Sequence, residues 1–85
     1  MKFLHWELDT DGRAVVQVEL DAQANVMLMD SINFSSYRSG RHFRYFGGHA
    51  KQSPVLLSAP HAGHWHVIVD LGGYAGHVNA SIRVC

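Results

Sequence analysis

Short runs in which apolar and polar residues alternate dominate the chain, and helical periodicity is weak. Because successive side chains of a strand point to opposite faces, such alternation predicts strands with one buried face. In residues 14–20, for example, Val16, Val18 and Leu20 share one face. Residues 26–29 are apolar on both faces, which is typical of a central strand that is covered on both sides.

The same alternation returns at the end of the chain, in residues 64–71 and 76–85. A connection over residues 72–75 would join them as a hairpin in which Val69 faces Val78 and Trp65 faces Ile82. His64, His66, Ile68 and Asp70 would then line its polar, solvated face. With about seven strands, we predict an all-β fold: one domain over residues 1–85, a small antiparallel β-sandwich that ends in a C-terminal hairpin. A small closed barrel is the alternative.

Residues 30–49 are the least strand-like part of the chain. A single helical turn is predicted from Asp30 or Ser31, either of which can cap it, and the turn ends at Ser39-Gly40. Residues 41–46 alternate again and predict a strand, which Gly47-Gly48 is expected to break.

Composition narrows the function classes. A formal net charge of zero argues against a general binder of nucleic acid or membrane surfaces. One cysteine, Cys85, excludes an intrachain disulfide and is interpreted as a free thiol. No apolar run is long enough for a membrane span, and the first residues do not read as a signal peptide, so we expect a cytoplasmic protein.

The zero net charge hides an uneven distribution. Residues 1–30 carry six acidic and two basic side chains, whereas residues 31–69 carry four basic and no acidic ones. Within that basic part, cations alternate with aromatics, a mixture that can stack on rings and pair with anionic groups. The candidate ligand-binding residues are Tyr37, Arg38, Arg41, Arg44 and Tyr45. The alternative is that the aromatics plug the edge of the sandwich while the arginines face water or pair with the acidic N-terminal segment.

Seven histidines in 85 residues also require an interpretation. His64 and His66 share a strand face, an arrangement that can bind zinc, and the candidate metal ligands are His61, His64 and His66. Asp70 or His77 could replace His61 as the third ligand. Against a metal, the predicted hairpin places Arg83 opposite His64, where its charge would oppose a dication. The alternative is a solvated strand face of hydrogen-bonding side chains.

No nucleophile elbow, paired catalytic carboxylates, phosphate loop or zinc-protease motif is present. We therefore expect no enzyme and no cofactor, but a non-enzymatic binding or interaction module, such as an accessory or sensor domain. Its partner would be an anionic or sugar-like small ligand or a protein. A zinc site on the histidines of the C-terminal hairpin is one alternative, and a structural adaptor that self-associates into homo-oligomers through its edge strands is another.

Several strings resemble the bacterial family named domain of unknown function 1883. They are residues 1–6, residues 28–31 with Asn33-Phe34 and Tyr37, Gly40, Tyr45-x-Gly47-Gly48, residues 60–67 and residues 69–73. The resemblance therefore spans essentially the whole chain. It implies a compact β-sandwich that is found alone or joined to other domains, TIR-type signalling domains included, and it implies no catalytic residues. The layout is also similar to GOLD-type accessory modules, a fold-level analogy that transfers no function.

Overall fold

The computed structural model describes residues 3–72 and 76–84 of the chain. Within those ranges it contains seven strands and one helix. In chain order the elements are β1 (Phe3–Thr10), β2 (Val15–Leu20), β3 (Ala24–Asp30), α1 (Ser31–Arg38), β4 (Phe46–Ala50), β5 (Val55–Ser58), β6 (Gly63–Asp70) and β7 (Ala80–Val84). Cys85 and most of the predicted 72–75 connection lie outside the described residues.

Two antiparallel sheets form the sandwich. One has four strands in the order β1-β6-β3-β4, and the other has three in the order β5-β2-β7. Every strand pair that the structure describes is antiparallel. The predicted all-β sandwich of about seven strands is therefore confirmed, and the strands of the described residues form two separate sheets rather than a closed barrel.

The main core lies between the two sheets. Val16 and Val18 of β2 face Val26 and Leu28 of β3, and all four are fully buried. Trp65 of β6 closes the same core with 3% of its surface exposed. These side chains occupy the faces that the alternation predicted, because one-sided burial requires a period of two residues.

A second, smaller core lies on the outer face of the four-stranded sheet, where α1 covers it. Met27 and Met29 of β3 pack there with Ile68 of β6 and with Phe34 and Tyr37 of the helix. The prediction that β3 is covered on both faces is confirmed. Apolar side chains on both faces of β3 and β6 explain why these two strands are central in the sheet.

The predicted C-terminal hairpin is wrong. Strand β6 pairs with β1 and β3, whereas β7 pairs with β2 in the other sheet. Alternation identifies a strand and its buried face, but any two alternating strands can be aligned in a consistent register. The informative residue was Ile68, an apolar side chain on a face that was expected to be polar. Ile68 is fully buried, and His66 and Asp70 are almost completely buried, so only His64 on this face is exposed to solvent.

The segment between α1 and β4 also differs from the prediction. The helix has two turns rather than one, and the side chain of Asp30 caps it by accepting a 2.8 Å hydrogen bond from the Asn33 amide. Residues 41–45 are not a strand, and Gly47-Gly48 lie inside β4 instead of breaking one. Gly47 has a φ of +118°, and a Cβ there would overlap the carbonyl oxygen of Val26. Glycine therefore lets β4 approach β3 closely.

Candidate functional site

Polar groups gather at both ends of α1, on the outer face of the four-stranded sheet. At the start of the helix, Ser31 contacts His66 of β6, and near its end Tyr37 contacts Asp70 of the same strand. The helix therefore separates two polar regions. We call the first the histidine cluster (His5, Glu7, His64 and His66) and the second the arginine cleft, which is lined by Asn25, Met27, Tyr37, Gly40, Arg41, Phe43, Tyr45, Gly48, Asp70 and Gly72.

The floor of the arginine cleft is the buried carboxylate of Asp70. Tyr37 Oη donates a 2.6 Å hydrogen bond to Oδ2, while Asn25 Nδ2 and the amide of Gly72 each donate 2.9 Å bonds to Oδ1. Burial, followed by the hydrogen bond to Asp70, raises the pKa of Tyr37 well above its usual value. The phenol therefore stays protonated, and its hydroxyl serves the fold by holding Asp70.

The wall of the cleft comes from the loop after α1. The amide of Arg41 donates a 2.9 Å hydrogen bond to the carbonyl of Ser36, which fixes the start of the loop. The ring of Phe43 packs edge-on against Tyr37 at 5.1 Å and lies 5.5 Å from the ring of Tyr45. Tyr45 keeps 45% of its surface exposed, and the cleft has a volume of about 410 Å³.

The five candidate ligand-binding residues are only partly brought together. Tyr37, Arg41 and Tyr45 line the arginine cleft, although Tyr37 contributes from the buried floor. Arg44 lines an adjoining cleft of about 710 Å³, which shares Tyr45 and Phe43 with the first. The guanidinium of Arg38 lies over the ring of Phe34, 5.7 Å from its centre, and lines neither cleft.

The arginines do not neutralise the acidic N-terminal segment by ion pairs. Within residues 3–72 and 76–84, Arg38, Arg41 and Arg44 make no ion pair with a carboxylate. The acids have other partners instead: Glu7 and Asp9 contact His64. Asp21 accepts hydrogen bonds from the amide and the side chain of Asn79, which lower its pKa.

Sequence reasoning missed Asn25 and Asp70 as parts of the cleft. Asn25 is a polar position in β3 directly opposite Asp70 of β6, so the two side chains meet through strand pairing. The only available signal was the occurrence of polar side chains at the ends of otherwise apolar strands.

The histidine cluster is built by the pairing of β1 with β6. Glu7 lies opposite His66 in the register, and His5 lies two residues before Glu7 on the same face of β1. His5 Nε2 is 2.8 Å from His66 Nδ1, and Glu7 Oε1 is 3.7 Å from that same nitrogen. The potential ligand atoms of these three residues all lie within 4.8 Å of one another.

Other groups hold the rings of the cluster in place. Ser31 Oγ lies 2.9 Å from His66 Nε2, and the ring of Phe34 stacks on both His5 and His66 with centroids 4.3 Å apart. His64 Nε2 is 3.0 Å from Glu7 Oε1. Burial lowers the pKa of His66, and the nearby His5 lowers it further. The pKa of His64 is raised, because His64 hydrogen-bonds to Glu7 and Asp9.

The sequence-based metal set is not brought together as predicted. His64 and His66 are neighbours, with ring centroids 5.0 Å apart. His61, however, packs 5.0 Å from the ring of Trp65, whose side chain points to the inter-sheet core on the opposite face of β6. Of the two alternative third ligands, Asp70 is engaged by Tyr37 in the arginine cleft, and His77 lies after β6, outside the strands.

Comparison with known proteins assigns the family. The fold and its two polar regions define the class, a small antiparallel β-sandwich domain with one helix on the outer face of its larger sheet. The chain belongs to the family described as domain of unknown function DUF1883, whose family model matches residues 1–85. The resemblance seen in the sequence is thereby confirmed. No curated protein and no solved structure matches the chain. Among the described residues, no helix has the length and apolarity needed to cross a membrane.

Proposed function

We propose that the domain is a non-enzymatic binding module whose arginine cleft takes a small ligand carrying both a ring and an anionic group. The observation that carries this proposal is that Arg41, whose guanidinium has no side-chain partner among the described residues, lines the same cleft as the half-exposed Tyr45. A cation with free donors beside an exposed aromatic face suits a nucleotide or an acidic sugar.

The chemistry of the lining gives each group a role. Arg41 would bind the anionic group with paired N–H donors, and Tyr45 and Phe43 would stack on the ring. A volume of about 410 Å³ is within the usual size of small-ligand pockets. The three donors already on Asp70 satisfy its carboxylate, so it would not repel an anion as strongly as a bare carboxylate would. In this proposal the module is a cytoplasmic accessory or sensor domain of bacterial proteins, including those that carry TIR domains.

Amide NMR titrations test the proposal. We expect adenosine monophosphate or a glucuronate oligosaccharide to shift amide signals of residues 40–48 and 70–72, while adenosine, which lacks the anionic group, binds more weakly. Arg41→Gln should weaken binding about 10- to 100-fold, because a charge-assisted hydrogen bond is lost. Arg38→Gln is the matched control, since Arg38 lines neither cleft. Unchanged signals across this panel, or equal affinities for the two variants, would contradict the proposal.

A second candidate function is self-association as an adaptor. It is favoured by large apolar side chains left exposed on edge strands: Leu56 on β5, 64% exposed, and Phe46 on β4. Edge strands with exposed apolar groups can pair with another copy of the chain. Light scattering after size exclusion tests this function, and a strict monomer at high protein concentration would eliminate it.

A further inference from the structure

We propose that His5, Glu7 and His66 form a binding site for a zinc ion, with the fourth coordination position open to solvent. This site differs from the set of His61, His64 and His66 suggested by the sequence, and it is separate from the arginine cleft at the other end of α1. Two imidazoles and one carboxylate are a ligand set that zinc accepts in proteins.

Two of the distances between the ligand atoms are close to those of a tetrahedral zinc site. Zinc binds nitrogen and oxygen at about 2.0–2.2 Å, so two ligand atoms of a tetrahedral site lie about 3.3 Å apart. His5 Nε2 and His66 Nδ1 are 2.8 Å apart, and Glu7 Oε1 is 3.7 Å from His66 Nδ1. Each of these two separations differs from tetrahedral spacing by about half an ångström, and all the ligand atoms lie within 4.8 Å of one another.

Surrounding groups orient the ligands as they do in zinc sites. His66 is 4% exposed, and its second ring nitrogen, Nε2, is 2.9 Å from Ser31 Oγ. With zinc on Nδ1, Nε2 carries the proton and donates to that hydroxyl, which fixes the tautomer. The ring of Phe34 stacks on both imidazoles. His64 contacts Glu7 through Nε2, and its Nδ1 lies 2.7 Å from Asp9 Oδ1.

The carboxylates of Glu7 and Asp9 supply negative charge at the cluster, and the ring of His64 lies between them, so zinc would compete with the N–H of His64 for Glu7 Oε1. Within the described ranges, the ion pairs of Glu7 and Asp9 are with histidines and not with lysine or arginine. The expected opposition from Arg83 disappears, because β7 belongs to the other sheet and Arg83 pairs with Gln17 there. His5 and Glu7 are exposed, so the open position faces solvent.

The experiment uses the full chain purified without a polyhistidine tag and titrated with Zn²⁺ alone by calorimetry. His5→Gln and Glu7→Gln test the proposed ligands; both side chains are exposed, so the fold should survive, which circular dichroism checks. His61→Gln is the matched control, because it removes a histidine that only the sequence-based set uses. Replacement of zinc by Co²⁺ gives an independent readout, since tetrahedral cobalt absorbs strongly in the visible range.

We expect equimolar binding by the native chain, a loss of at least about tenfold in affinity for His5→Gln and Glu7→Gln, and no change for His61→Gln. The visible absorbance of bound Co²⁺ should likewise be retained in His61→Gln and reduced in His5→Gln and Glu7→Gln. The proposal is overturned if the native chain binds no equimolar zinc. It is equally overturned if His61→Gln weakens binding while His5→Gln and Glu7→Gln do not. If either His5→Gln or Glu7→Gln fails to fold, the zinc affinity of the other variant, compared with that of His61→Gln, tests the proposal.

Discussion

Tyr37 donates a 2.6 Å hydrogen bond to the carboxylate of Asp70, and this bond joins α1 to the end of the central strand β6. Both side chains are buried, with 4% and 5% of their surfaces exposed. A buried carboxylate requires hydrogen-bond donors to compensate for its lost hydration. Asp70 receives donors from the helix, from β3 and from the loop that follows β6. It therefore ties three parts of the fold together.

Removal of one of these donors should destabilise the domain. Tyr37→Phe keeps the ring but leaves Oδ2 of Asp70 without the phenol, and we expect a loss of about 1–3 kcal/mol in the free energy of unfolding. Urea denaturation measures it. Tyr45→Phe is the control, because its side chain is half exposed and should change stability by less than about 0.5 kcal/mol. Equal effects of the two changes would refute the structural role of the Tyr37 hydroxyl.

The raised pKa of Tyr37 predicts a pH dependence at alkaline pH. The folded state favours the neutral phenol, so this contribution to stability is complete below the unfolded pKa of about 10. It is lost as the pH rises above that value toward the higher pKa of the folded state. Ultraviolet absorbance of the phenolate should show one tyrosine that ionises late, together with unfolding. That late step should be missing in Tyr37→Phe, and its persistence there would assign it to another tyrosine.

The two tryptophans should differ in their contribution to the core. Trp65 is buried between the sheets, so Trp65→Ala should cost about 3–5 kcal/mol. Trp6 packs against the same core but is only partly buried, and Trp6→Ala should cost less. Denaturant titration compares the two, with Leu56→Ala as an exposed control that should stay within about 0.5 kcal/mol of the native chain. A variant of Trp65 as stable as the native chain would show that the ring is not in the core.

The pair Gly47 and Gly48 separates steric overlap from backbone strain. Both have positive φ, +118° and +152°, but only at Gly47 would a Cβ meet the carbonyl oxygen of Val26. Gly48→Ala should therefore cost about 1–3 kcal/mol through strain alone, and Gly47→Ala should cost more. Thermal or urea unfolding of the two variants gives the difference. A smaller loss at Gly47 than at Gly48 would mean that the close approach of β4 to β3 is not needed.

Strand positions and buried faces could be predicted from the sequence because they depend on local periodicity. Val16 and Val18, for example, point where their alternation requires. The partners of each strand could not be predicted from the sequence, because several strands have compatible alternation and the sequence does not say which of them pair. Residues 64–71 and 76–85 can be aligned as a hairpin although they do not pair with each other. The one sign in the sequence of a second covered face was the apolar residue Ile68, which is buried in the structure.

The same limit applies to the candidate sites. Arg41 and Tyr45 could be selected from their local sequence because they are neighbours on one loop. His5 could not be joined to His66, because their contact spans 61 residues and exists only through the pairing of β1 with β6. Asn25 and Asp70 meet in the same way through the pairing of β3 with β6.

The position of β1 at the edge of its sheet has a consequence for the order of folding. Its neighbour in the sheet is β6, and that partner comes in the last third of the chain. During synthesis the first strand has no sheet to join until residues 63–70 have left the ribosome. Pairings between such distant segments close slowly, because a long loop must be ordered first. The contacts of His5 and Glu7 with His66 therefore cannot form until β6 has been synthesised.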